Sequence, residues 1–220
     1  TVKPNGEIII KQPDGSTITI DKDGNASSDK EGATVFCVTY NSGDAGLKPV
    51  KVYSTSSVTV SKTVFTREGY VFGYWMGDAG TVNVGTELTT NTTLTAHWYA
   101  QGEDGSITVP GTDGKDVTVK PGTNGAKPEV KDDGTVTIPG TGPIETPDGP
   151  VKVPDGSVVK PGGSVESSNG DKLYPTANGE KPNDSYIKVT YKSGIAGVQD
   201  YVQLVKGTEV TIIKNNVFGD

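Results

Sequence analysis

The run Val38-Thr39-Tyr40-Asn41-Ser42-Gly43 decides the fold, because it combines a strand pattern with an internal repeat. Its apolar residues Val38 and Tyr40 alternate with polar ones, and this period of two is typical of a strand with one buried face. The run returns 151 residues later as Val189-Thr190-Tyr191-Lys192-Ser193-Gly194. The chain therefore carries the same strand-forming motif twice.

The repeat extends to both sides of this run. Upstream, Pro4-Asn5-Gly6 returns after 150 residues as Pro154-Asp155-Gly156. Downstream, Val58–Lys62 returns after 152 residues as Val210–Lys214. The 220 residues thus hold about one and a half copies of a unit with two parts, of which one is rich in turns and the other is compact.

The turn-rich part is marked by Asn-Gly and Asp-Gly pairs that recur about every nine residues. Short alternating runs such as Ile18 with Ile20, and Val117 with Val119, lie between them. Asn-Gly and Asp-Gly suit the positive φ angles of a tight hairpin turn, and the alternating residues suit a half-buried strand. The glycines of these pairs are Gly6, Gly15, Gly24, Gly105, Gly114, Gly125, Gly134, Gly170 and Gly179.

The segment 101–180 allows two interpretations. It has 15 Gly and 10 Pro in 80 residues and a single aromatic residue, Tyr174, a composition typical of a linker. The regular spacing of its turns favours a stack of short strands instead. A calcium-binding β-roll also has a period of nine, but its Gly-Gly-x-Gly-x-Asp motif does not occur.

Residues 32–100 have the composition of a small domain with an aromatic core. They contain Trp75 and Trp98, and Leu94, Ala96 and Trp98 alternate on one predicted strand. Two further rows are expected to face the core, namely Phe36, Val38 and Tyr40, and Tyr70, Phe72 and Tyr74. The predicted strands are 34–40, 49–54, 57–65, 70–75 and 92–99. The sequence thus predicts an all-β or β-dominated fold with four segments, 1–31, 32–100, 101–181 and 182–220.

Three motifs resemble a known family. They are Val38–Gly43, Arg67-Glu68-Gly69-Tyr70-Val71-Phe72-Gly73-Tyr74-Trp75 and Leu94-Thr95-Ala96-His97-Trp98, in this order and spacing. Together they resemble the Listeria–Bacteroides repeat, also called the internalin B-repeat, over 32–99, with a partial copy at 185–218. The family usually has Gly at the position of Tyr74. The resemblance implies a small β-grasp-like domain, a location on the bacterial cell surface, and a spacer or adhesive role.

Composition and charge exclude several other classes. The net charge is −7, whereas a partner with a phosphate backbone requires clustered Lys and Arg. No apolar run approaches the ~18 residues that a membrane span requires. A single Cys excludes a disulfide framework and a cysteine zinc site. Because no signal peptide is present, we expect the chain to be a processed piece of a longer protein.

Two residues stand out chemically, Cys37 and His97. The side chain of Cys37 is expected to point away from the core, and Lys188 takes its place in the second copy, which indicates an exposed position. Such a thiol could form an intermolecular disulfide or remain half-covered and unreactive. His97 is likewise expected opposite the core row. No motif for a nucleophile, a metal site or a phosphate loop accompanies either residue, so no catalytic role, cofactor or metal is predicted.

Two other groups of residues have both a functional and a structural interpretation. The acidic run Asp21-Lys22-Asp23-Gly24-Asn25 superficially resembles a calcium loop, but its Gly position fits a hairpin turn better. Tyr53, Tyr74 and Tyr99 are the candidates for contact with a glycan or protein ligand. The aromatic residues of 32–100 are otherwise expected to form the core.

The expected function is that of a structural or adhesive repeat region which acts as an extended stalk on a bacterial surface. An alternative is a subunit of an extracellular fibre, completed by strand exchange between chains. A second alternative is a glycan- or protein-binding module. The expected partners are other copies of the chain or a host or community glycan or protein, with no nucleic acid and no membrane insertion.

Overall fold

The structure, a computed structural model, describes residues 1–122, 124–140, 144–147, 149–174, 186–195 and 201–206. The predicted turn at Gly179 and the repeat Val210–Lys214 lie outside these residues. The strands are β1 (Ile8–Lys11), β2 (Thr17–Ile20), β3 (Ala26–Ser28), β4 (Phe36–Asn41), β5 (Val50–Ser54), β6 (Val58–Thr59), β7 (Tyr70–Gly77), β8 (Gly80–Val82), β9 (Glu87–Leu88), β10 (Thr92–Gln101), β11 (Ile107–Val109), β12 (Val117–Val119), β13 (Val136–Thr137), β14 (Ile144–Thr146), β15 (Gly149–Lys152), β16 (Val158–Val159), β17 (Val165–Glu166), β18 (Lys172–Tyr174), β19 (Tyr186–Tyr191) and β20 (Tyr201–Lys206).

The fold is β-dominated, which confirms the predicted class. Helical structure in the described residues is limited to two 3₁₀ turns, Gly43–Ala45 and Thr112–Gly114. No helix in these residues is long and apolar enough to span a bilayer. The chain divides into two compact units. Unit 1 comprises Thr1–Thr66 and Tyr74–His97, and unit 2 comprises Arg67–Gly73 and Trp98–Asp220.

The unit boundaries fall inside β7 and β10, because both strands contribute residues to each unit. The boundaries of the four predicted segments differ from those of the two units. The segments were defined by composition and repeats, whereas the units are defined by contacts, so the segments stay a prediction. The β-grasp-like arrangement of 32–100 also stays a prediction.

Unit 1 contains a mixed sheet around β4. This strand pairs antiparallel with β5 and parallel with β10, where Thr92 lies opposite Val38 and Leu94 opposite Tyr40. The alternation in β4 and β10 places their apolar residues on a buried face, as predicted. The exposed fractions in unit 1 are 7% for Phe36, 0% for Val38, 2% for Tyr40, 0% for Leu94 and 3% for Ala96. Trp98, the last residue of the second row, belongs to unit 2 and is 8% exposed.

The third predicted core row is wrong in part. Of its three residues, Tyr74 is buried, Phe72 is half-buried, and Tyr70 is 37% exposed with its ring 3.6 Å from the Arg67 guanidinium carbon. The neighbouring Trp75, on the opposite face of β7, is fully buried and packs edge-on against Tyr40 at 5.0 Å. The face of β7 that enters the core of unit 1 is therefore the one that carries Trp75.

The predicted strand 57–65 is much shorter in the structure. It is reduced to β6, which pairs with the two-residue strand β9. The chain continues as a turn, and the Trp75 indole N–H donates to the Ser61 carbonyl at 2.9 Å. Backbone bonds continue one residue beyond this ladder, from the Val60 N–H to the Thr86 carbonyl at 2.9 Å and from the Gly85 N–H to the Val60 carbonyl at 2.8 Å.

Unit 2 contains two antiparallel arrays of short strands in the Gly/Pro-rich segment. One runs β11-β12-β14-β15 and the other β13-β16-β17-β18. Each buries the alternate apolar residues of its strands, which favours the β interpretation over an extended linker for the described residues of 101–174. The valine, isoleucine and leucine residues of 101–174 that are at most 5% exposed are Ile107, Val109, Val117, Val119, Val136, Ile138, Ile144, Val151, Val153, Val159, Val165 and Leu173.

The tight turns that join short strands in both units share one hairpin type. At Gln12–Ser16, the Gly15 N–H donates to the Gln12 carbonyl at 3.0 Å and the Gln12 N–H to the Ser16 carbonyl at 2.8 Å. Gly15 has a φ of 85°. This is a three-residue loop in which a turn is followed by a left-handed glycine. The same bonds close the turns that contain Gly6, Gly24, Gly105, Gly125, Gly134, Gly163 and Gly170.

The second copy of the strand motif forms a hairpin with the register of the first. In β4 and β5, Phe36 lies opposite Ser54, and in β19 and β20, Ile187 lies opposite Val205. Each residue of the second pair is 151 positions after its counterpart in the first. The Ser-Gly that follows the strand is also alike, since Gly43 and Gly194 have φ angles of 59° and 66°.

Candidate functional site

Cys37 is half-buried rather than exposed. It lies in β4 opposite Tyr53 of β5, and its sulfur is 3.7 Å from the Thr39 hydroxyl. Its backbone N–H donates to the Asn91 side-chain oxygen at 2.8 Å. The expectation of an exposed position rested on Lys188 in the second copy, and it did not account for the cross-strand tyrosine.

The imidazole of His97 stacks on Tyr74. The ring centroids are 4.6 Å apart and the ring planes differ by 5°. His97 is exposed on the side opposite the core row, as predicted, whereas Tyr74 is only 9% exposed. Loss of solvent around His97 lowers its pKa, and the carboxylate of Asp44 partly offsets this effect.

The three candidate ligand tyrosines do not form an exposed aromatic cluster. Tyr99 is 1% exposed, and its hydroxyl donates to the Gly134 carbonyl at 2.8 Å, so it is a core residue of unit 2. Tyr74 is buried in unit 1. Only Tyr53 keeps accessible ring surface, and burial, followed by its contact with Cys37, raises its pKa. A flat stacking platform for a sugar is therefore not built from these residues.

The acidic run Asp21–Asn25 forms a hairpin turn, as predicted. The Asp21 carboxylate accepts hydrogen bonds from the backbone N–H groups of Asp23 and Asn25 at 2.9 and 2.8 Å, and from the Asn25 side-chain amide at 2.9 Å. These bonds lower the pKa of Asp21. Across the described residues, no three His, Cys, Asp or Glu side chains are placed to hold a metal ion.

An open pocket of about 410 Å³ in unit 2 was not predicted. Its lining includes Lys131, Lys160, Asp133 and Glu166. Burial raises the pKa of Asp133, but the Thr135 N–H and the charge of Lys160 outweigh this effect and leave it below its usual value. The residues come from several turns, so their spacing in the sequence gives no sign of a site.

Two hydroxyl groups that line this pocket, those of Ser167 and Thr135, differ in their hydrogen bonding. The hydroxyl oxygen of Ser167 accepts hydrogen bonds from the N–H groups of Asn169 and Asp171, both at 3.2 Å. The buried hydroxyl of Thr135 has no hydrogen-bond partner among the described residues.

Comparison of the chain with models of protein families, with curated proteins and with solved structures finds no match.

Proposed function

We propose that this chain is a non-enzymatic repeat region of a bacterial cell-surface protein and acts as an extended stalk. The observation that carries the proposal is the shared hairpin register, in which β19 and β20 reproduce β4 and β5 with a displacement of 151 residues. A one-residue slip would exchange the buried and exposed faces of a strand. The shared register therefore supports the interpretation that both copies form the same hairpin.

The turn-rich segments support the same role. Their strands bury valine and isoleucine, whereas their turns present polar residues and internally satisfied backbone groups. In repeat proteins of this kind, stability comes from each unit and its neighbours, and added units extend the molecule. The resemblance of 32–99 to the Listeria–Bacteroides repeat supports the extracellular location.

The test is to lengthen the chain by whole units. Residues 38–188 are inserted once or twice between Lys188 and Val189, which restores the natural run at each junction. We expect the maximum dimension from small-angle X-ray scattering to increase by a constant amount per unit. A matched control inserts Gly-Ser sequence of the same length. Growth with only the cube root of chain length would contradict the stalk, and protease accessibility on intact cells of the source bacterium tests the location.

A fibre subunit is the second candidate, and one observation favours it. In the described residues, β19 lies at the edge of its sheet, whereas its counterpart β4 has β10 on that side. An unpaired edge can accept a strand from another chain. The solution mass of the native chain separates this candidate from the stalk.

A further inference from the structure

The outer edge of β5 is an exposed backbone edge beside exposed apolar side chains. In unit 1, the described residues place β4 on one side of β5 and no strand on the other. Leu47, Val50 and Val52 are 47%, 39% and 36% exposed. Val52 lies opposite the fully buried Val38, so both side chains are on the core-facing side of the sheet. This side is buried at β4 and partly exposed at β5.

The counterpart of this edge in the second copy is occupied. β20 corresponds to β5, and it pairs with β15 in parallel, with Val151 opposite Val202 and Lys152 opposite Gln203. Val202 is only 4% exposed. Within the described part of the chain, the same hairpin thus occurs twice, once with a parallel strand on its outer edge and once without.

The residues of β5 indicate what kind of strand fits. The two copies are 151 residues apart, so Lys51 of β5 corresponds to Val202 of β20, and Val52 corresponds to Gln203. A strand in the position of β15 would therefore meet a positive charge and then an apolar side chain. Complementarity calls for an acidic residue opposite Lys51, followed by an apolar residue opposite Val52.

The chain itself contains a segment with this pattern. Glu129 and Val130 lie five and four residues before the turn glycine Gly134. Val151 and Lys152 of β15 lie at the same distances before Gly156. Aligned on the turn, Glu129 would face Lys51 and Val130 would face Val52. This segment supplies the sequence of a probe.

We propose that the outer edge of β5 is a docking site for an extended segment of another protein chain, which adds as a parallel strand with an acidic residue opposite Lys51 and an apolar one opposite Val52. Backbone hydrogen bonds along the edge supply affinity, and the alternating side chains supply selectivity. The inference goes beyond the stalk role and does not depend on it.

The test titrates the intact ¹⁵N-labelled chain with a synthetic peptide of residues 127–134, Lys-Pro-Glu-Val-Lys-Asp-Asp-Gly. We expect amide shifts concentrated in Val50–Ser54. The same peptide with Glu129→Lys should bind about two- to fivefold more weakly, as expected for one cross-strand charge pair. In the chain variant Lys51→Glu, this preference should reverse. Lys51 is exposed, and an otherwise unchanged spectrum of the variant shows that it folds.

Three results would overturn the proposal. They are no shift in β5 at millimolar peptide, shifts confined to β19 and β20, or a preference that does not change with Lys51→Glu. None of them alters the scattering expected of lengthened chains, so failure here is distinct from failure of the stalk.

Discussion

The stacking of His97 on Tyr74 has a consequence that can be measured directly. The usual pKa of histidine is 6.5, and loss of solvent lowers it in the folded chain. The unfolded chain therefore binds the proton more readily, so the stability that neutral His97 contributes is present above pH 6.5 and is lost as pH falls toward the folded pKa. His97 is the single histidine, so its imidazole signal in a ¹H NMR titration is unambiguous. We expect a midpoint below 6.5.

Asp44 provides the matched control for this titration. Its carboxylate raises the pKa of His97, so Asp44→Asn should move the midpoint further down. A midpoint at or above 6.5 in the unmodified chain would contradict the prediction, as would an upward shift in the variant.

The Tyr99 hydroxyl should contribute measurably to the stability of unit 2. Tyr99→Phe removes the hydrogen bond to the buried Gly134 carbonyl, and we expect a loss of about 1–3 kcal/mol in the free energy of unfolding. Tyr70→Phe is the control, since Tyr70 is exposed and should change stability by less than about 0.5 kcal/mol. Urea unfolding followed by circular dichroism measures both. Equal effects of the two variants would show that the bond is not stabilising.

Individual residues were predictable where a strand has one covered face. The rows on β4 and β10 follow from their period of two, because that pattern states which residues share a face. It does not state whether the opposite face is also covered. On β7, Tyr74 and Trp75 are both buried although they point to opposite faces, and at Tyr99 the pattern of β10 no longer applies. The burial of two candidate ligand tyrosines was therefore not readable from the sequence.

Among the elements, the turns should depend on their left-handed glycines. Gly15 has a φ of 85°, and no atom lies within 4 Å of the position that a Cβ would occupy. Gly15→Ala therefore tests backbone strain without a steric clash, and we expect a cost of about 1–2 kcal/mol. The amide hydrogen exchange of β1 and β2 should become about five- to thirtyfold faster.

Asparagine is the comparison at this position, since it tolerates the left-handed region better than alanine. Gly15→Asn should thus increase exchange less than Gly15→Ala does. If the two variants exchange alike, the cost arises from something other than the φ angle.

The positions of the turns were predictable, but their type was not. Asp-Gly and Asn-Gly pairs identify a chain reversal, and they occur in two-residue hairpins as well as in three-residue loops. What separates the two types here is a pair of backbone bonds, such as those between Gln12 and Ser16 and between Gly15 and Gln12. The residue types of the turn fit both patterns.

For the whole molecule, we expect a monomer. Light scattering after gel filtration should give 22.9 kDa with and without reductant, because the half-buried Cys37 faces Tyr53 rather than open solvent. Twice this mass without reductant alone would assign an intermolecular disulfide to Cys37. A large and polydisperse mass in both conditions would favour the fibre instead of the stalk.

The repeat was visible in the sequence, but the division into contact units was not. Identical residues 151 positions apart predicted a second strand like the first, and the hairpin registers agree with it. The unit boundaries depend on which long-range contacts form along β7 and β10. β7 and β10 each contribute to both units, and the residue composition of these strands does not change at the unit boundary. The boundary therefore cannot be recognised in the sequence.

The parallel pairing of β4 with β10 determines how this region responds to tension. Pulling the chain apart at residues before β4 and after β10 draws two parallel strands in opposite directions along their length. The hydrogen bonds of a parallel pair run across the strands at a slant, so this pull loads them together in shear. The hairpin of β4 and β5, pulled at its open end, would instead lose its bonds one after another. A force applied between these two points is therefore resisted by the whole ladder between Val38–Asn41 and Thr92–Thr95 at once.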